Sequence, residues 1–140
     1  MEVKRIDRQA EAPVGKAALW VGRILSAICI LFLLFDGVTK IMRAEQSVKA
    51  TAELGFSDDI ILPMGLWILA FTIIYSIPRT AVFGALLLTA HLGGAVAIFI
   101  RHYHGKPYFL FSVLFCVLLW TGLYLQDKKL RSIVPFMRSE

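Results

Sequence analysis

The chain has little of what most metal and covalent catalytic sites are built from: two cysteines and three histidines among 140 residues. Cys29 and Cys116 stand alone, with no CxxC pair and no histidine beside either, so the spacing of a metal site is missing. Thiols placed among apolar residues behave as small hydrophobes, which argues against redox exchange as well. Neither a nucleophile with its base nor a glycine-rich phosphate loop can be read from the sequence. Lys and Arg outnumber Asp and Glu by 15 to 10, yet no basic stripe with interleaved aromatics occurs, which excludes a nucleic-acid partner. Internal repeats and low-complexity segments are absent too. One compact domain over residues 1–140 is expected.

What the chain has in excess is apolar length. A hydrophobic share of 58% with a mean hydropathy of +0.71 would leave a soluble domain of this size exposing far too much apolar surface. The hydrophobic residues fall into four runs, at about 17–41, 60–77, 80–100 and 107–126, each close to the roughly 20 residues that cross a bilayer as a helix. The reading is an all-α, polytopic membrane protein built as a four-helix antiparallel bundle, with the lipid bilayer as its main partner.

The first run follows a charged tail, lacks a small-residue cleavage site and continues to Asp36 and Lys40, so it is expected to stay in the mature protein. Counting Lys and Arg by side places ten with the two tails and Arg79, and five (Lys40, Arg43, Lys49, Arg101 and Lys106) opposite. That asymmetry puts both termini in the cytoplasm, where the tails meet anionic headgroups. Trp20, Tyr75, Trp120 and Tyr124 fit the inner interface, and Tyr103, Tyr108 and Phe109 the outer one. The turn at Pro78 and Arg79 makes the second and third spans antiparallel neighbours. In the longer connection between the first two spans, residues 44–54 favour a short interfacial helix ending at Gly55.

Polar residues inside the runs are few and therefore informative. Ser26, Cys29, Asp36 and Lys40 fall near one side of the first helix, a seam expected to face the bundle. Asp36 lies four residues before Lys40, the favoured order for a helical ion pair. The bland reading is a self-neutralising pair near the outer interface, and the sharper one a proton carrier or an acceptor for a polar ligand. His91 sits midway along PRTAVFGALLLTAHLGGAVAIFIR (78–101) with no charged neighbour on its own helix. Its imidazole could donate to a quinone carbonyl, pass a proton, or bond a group on another helix. Gly84, Gly93, Gly94 and Ala97 offer small surfaces, and Gly93 with Ala97 or Ala90 with Gly94 has the small-xxx-small spacing of close helix contact. His102 and His104 flank Tyr103 in a short loop that reads as solvated; no metal site is expected there.

FLLFDGVTKIMR (32–43), TAELGF (51–56), IPRTAVFGALLLTAHLGGAVA (77–97) and LLWTGLYLQDKKLRSIVP (118–135) together resemble the DoxX-like family of small bacterial membrane proteins. The resemblance implies a four-helix bundle in the bacterial cytoplasmic (inner) membrane and a distant link to the DoxX and DoxD subunits associated with thiosulfate and quinone oxidoreduction. Two positions depart from the family pattern: Ile68, where a glutamate is common, and Phe99, where a histidine often precedes the arginine ending the third helix. Two functions are consistent with these readings. One is a redox-associated subunit holding a quinone or similar apolar carrier, with His91 as donor, Asp36 and Lys40 at the mouth and Trp67 as a wall. The other is a non-enzymatic accessory or assembly subunit, docking through its small-residue patches on a larger membrane complex or on a second copy. A proton or solute conduit ranks below both, because too few polar groups point inward to hold a continuous hydrated path.

Overall fold

The structure is a computed structural model and describes residues 15–133. In chain order it contains α1 (Lys16–Ile41), α2 (Glu45–Glu53), a 3-10 turn (Asp58–Ile60), α3 (Ile61–Ser76), α4 (Ala81–His102), α5 (Phe109–Gln126) and α6 (Lys128–Ile133). Four of these are long and apolar enough to cross a membrane: α1, α3 with its leading 3-10 turn, α4 and α5. No strand occurs among the described residues, so the all-α class and the four spans agree with the sequence reading. A short helix, α2, does lie between the first two spans. The tail residues Lys4, Arg5, Arg8 and Arg138, on which much of the charge asymmetry rests, lie outside the described residues.

The helices end where backbone chemistry requires it. Pro78 disfavours the helical region for the residue before it, and Ile77 is extended with ψ 120°, closing α3. At the end of α2 Gly55 takes φ 85°, its N–H reaches the Ala52 carbonyl and that of Phe56 reaches Thr51, a Schellman pair. The same pair ends α1, where Arg43 rather than a glycine takes the left-handed position at φ 52°. An element the sequence reading lacked, α6, starts because the Asp127 carboxylate accepts from the amides of Lys129 (2.8 Å) and Leu130 (3.3 Å).

The spanning helices form a square in which α1 and α4 each pack on α3 and α5 and lie diagonally opposite one another. Each helix buries one stripe at three- and four-residue steps: Gly22, Ser26, Cys29, Leu33 and Gly37 on α1, and Ile61, Gly65, Ile68, Thr72 and Tyr75 on α3. On α4 the stripe is Ala81, Gly84, Ala85, Leu88 and Leu92, and on α5 Ser112, Phe115, Leu119, Gly122 and Leu123. These stripes are rich in small residues, while large side chains such as Leu31, Phe35 and Phe83 point outward. That arrangement suits lipid, where tails solvate the large apolar groups and helices associate through close van der Waals contact and hydrogen bonds.

Glycines set the closest approaches. A Cβ on Gly65 would sit 2.9 Å from the Gly37 carbonyl, where α1 meets α3, and one on Gly22 would sit 3.0 Å from the Gly122 carbonyl, where α1 meets α5. On α4 a Cβ at Gly84 would overlap the backbone of Tyr75 and Ile74 on α3. With four spans, the start of α1, the α3–α4 turn and the end of α5 share one end of the bundle, called here the termini end. The α1–α3 connection and the α4–α5 loop share the far end.

Candidate functional site

Asp36 and Lys40 form the ion pair that their spacing predicts: the Lys40 ammonium donates to Asp36 Oδ1, and the two side chains are 33% and 14% exposed, respectively. The third member comes from the diagonally opposite helix. His91 is half-buried on α4 and lies toward the same end of the bundle as the pair.

Helix direction puts the three groups toward the far end. The hydroxyl of Tyr75 meets Ser26 of α1, and its backbone abuts Gly84 of α4. Counting toward the far end, Asp36 is ten residues beyond Ser26 and His91 seven beyond Gly84. Among the described residues His91 makes no hydrogen bond, so its ring nitrogens are available to a group entering the bundle. Such an imidazole can donate to a carbonyl or exchange a proton with a ligand.

A different polar cluster, missed from the sequence, lies toward the termini end. The Gln126 amide on α5 donates to Ser26 Oγ (2.8 Å) and reaches the carbonyls of Gly22 and Gly122 (both 3.0 Å). Tyr75 donates to the Leu119 carbonyl at 2.9 Å, so the 3.0 Å contact between Ser26 and Tyr75 has the serine as donor. The result is a directed chain, Gln126 to Ser26 to Tyr75 to Leu119, that ties α5, α1 and α3 together. Tyr75 is therefore a core residue, 3% exposed, and not part of an interfacial aromatic belt; its hydroxyl finds acceptor and donor inside the bundle.

The remaining candidates lie apart from both clusters. Trp67 is 62% exposed on the outer surface of α3, and the buried residue next to it is Ile68, so the indole does not join Asp36, Lys40 and His91. Gly84 is sealed against α3, but Gly93, Gly94 and Ala97 are exposed, and a Cβ at either glycine would meet nothing within 4 Å. Gly93 instead lines a groove of about 530 Å³ between α4 and α5, with Ser112, Cys116 and Trp120 on its other wall. There Thr89 accepts from Trp120 Nε1 at 2.8 Å and receives Cys116 Sγ at 3.7 Å. Cys29 is fully buried in the α1 stripe, and both cysteines are free thiols. His102 stacks its ring edgewise on Tyr103 at 4.7 Å.

Apolar exteriors, small-residue interfaces and polar groups turned inward define a multi-pass integral membrane protein with a four-helix core. The family model of the DoxX-like family matches residues 24–122, and the chain belongs to that family. No curated protein and no solved structure matches it.

Proposed function

We propose that this DoxX-like protein is a redox-associated subunit that holds a quinone or similar apolar carrier between its helices. His91 serves as hydrogen-bond donor to the carrier, and the Asp36–Lys40 pair serves as the polar mouth. The observation that carries the reading is the half-buried imidazole of His91, without a hydrogen-bond partner among the described residues and toward the same end of the bundle as the Asp36–Lys40 pair. Ionisable groups at such depth are costly and mark functional sites in membrane proteins. The carrier supplies the electron chemistry, and the chain supplies binding and orientation. The protein sits in the bacterial inner membrane with both termini in the cytoplasm, as the distribution of Lys and Arg favours.

The test is gentle purification from the native membrane, with mass spectrometry of co-purifying proteins and extracted small molecules. A stoichiometric quinone is expected in the wild type, absent from His91→Phe and partly regained in His91→Gln, whose amide can donate. A quinone retained by His91→Phe would overturn the role given to His91. One observation favours a second reading, an accessory subunit of a membrane complex or homo-oligomer: the outward face of α4 at Ala90, Gly93, Gly94 and Ala97 is small, exposed and suited to another helix. A stable protein partner without bound carrier, lost on Gly93→Leu, would select that reading.

A further inference from the structure

A cavity of about 750 Å³ opens at the termini end, walled by α1, α3, α4, α5 and the short α6. It is separate from the Asp36–Lys40–His91 cluster. Its inner wall is the Ser26–Tyr75–Gln126 chain, whose hydrogen bonds are already satisfied within the bundle. Apolar side chains line it as well, with Leu19, Ile30, Leu123 and Leu130 among them. Four cations also line it: Arg23, Arg79, Lys128 and Lys129.

Charge is badly balanced there. Asp127 is the one acidic residue on the lining, and its carboxylate is already engaged by the amides that start α6. Among the described residues none of the four cations has a carboxylate within ion-pair distance, and Arg23 instead lies 5.7 Å from the ring centre of Trp20.

From the juxtaposition of unpaired cations with an apolar chamber, we propose that this cavity binds one molecule of an anionic phospholipid of the surrounding bilayer. The phosphate rests on Arg79, Lys128 and Lys129, and the start of the acyl chains follows the apolar wall. The volume falls within the range of ordinary small-molecule sites. Neither a diffuse headgroup bath nor a soluble anion would use both halves of the chamber. A soluble phosphate would leave the apolar lining uncovered, and a zwitterionic lipid would add a fifth positive charge to the four cations.

The experiment is native mass spectrometry on full-length, delipidated protein in detergent, titrated with phosphatidylglycerol, phosphatidylcholine or glycerol phosphate. One phosphatidylglycerol is expected to be retained in preference to phosphatidylcholine, and not displaced by glycerol phosphate. Replacing Arg79, Lys128 and Lys129 together by Gln is expected to weaken that retention by on the order of 100-fold, about fivefold for each cation lost. Arg79→Gln alone, with its fivefold share, carries the test if the triple variant does not fold as judged by circular dichroism. Lys106→Gln, at the far end, and His91→Phe leave retention unchanged if the site is where it is placed. Equal binding of the two lipids, displacement by glycerol phosphate, or undiminished retention in a folded Arg79→Gln or triple variant would overturn the proposal.

Discussion

The two halves of this bundle treat buried polarity in opposite ways. Toward the termini end, Ser26, Tyr75 and Gln126 are neutral groups that hydrogen-bond one another and the carbonyls of Gly22, Leu119 and Gly122. Toward the far end, Asp36, Lys40 and His91 carry charge or can acquire it, and the imidazole is left without a hydrogen bond among the described residues. A satisfied neutral network holds helices in register and resists change, because opening it exposes every member to hydrocarbon. An ion pair within one helix and an unbonded imidazole add little to helix association, but the imidazole keeps a donor ready for a ligand. Hydrogen-bonded neutral groups therefore lie toward one end, and titratable groups toward the other.

The largest test of this contrast is Gly122→Leu. Even a Cβ there would lie 2.6 Å from Ser26 Oγ and 3.1 Å from the Ser26 amide nitrogen, so the larger side chain must drive α5 from α1 and open the network. A loss of about 3 kcal/mol or more is expected, at the upper end of overpacking effects. It should be read as collapse of the monodisperse peak after mild heating. Tyr75→Phe is the next step down: it keeps the ring but removes the bridge between Ser26 and Leu119. About 1 kcal/mol is expected, since single interhelical hydrogen bonds in membranes are modest. Reversible unfolding in mixed micelles measures it, and an unchanged midpoint would show that the chain of bonds is not what holds this end.

Much of the fold was legible because hydropathy marks the spans and backbone chemistry marks their ends. Pro78 and Gly55 signal a helix stop whatever the tertiary structure. The Gln126–Ser26–Tyr75–Leu119 chain was not legible, since its links join residues 100, 49 and 44 apart in sequence and depend on which helix faces which. Glycine function in α4 was legible only through phase. Gly93 follows Gly84 by nine residues, and at about 100° per residue that puts them roughly half a turn apart, on opposite faces. One is pressed on Tyr75 and the other open, although both belong to similar small-residue patterns. The Asp36–Lys40 pair could be read from its spacing, whereas the diagonal placement of its helix and that of His91 depends on which helices pack together. Asp127 in front of KKLRSI is a readable helix start, but a six-residue polar helix leaves no mark in hydropathy.

The far end should respond more weakly. Asp36→Asn removes the partner of Lys40 and is expected to cost about 0.5 kcal/mol, because the pair is still partly exposed and the long lysine side chain can swing toward headgroups. The same unfolding measurement checks it. A cost as large as that of Gly122→Leu would mean that the pair is structural and would erase the contrast between the ends.

The smallest expected effect on folding is also the most discriminating. His91→Phe fills similar space with an apolar ring and breaks no hydrogen bond within the described residues, so the unfolding midpoint should stay within about 0.5 kcal/mol of wild type. Bound carrier, in contrast, should be lost. Tyr75→Phe should behave in the opposite sense, lowering stability while leaving the His91 site intact and its carrier in place. If both substitutions lowered stability alike and neither altered what co-purifies, the imidazole would be one more structural group. If they separate as expected, a single residue on each helix, seven positions beyond Gly84 on α4 and at the end of the α3 stripe, divides holding the bundle together from what the bundle holds.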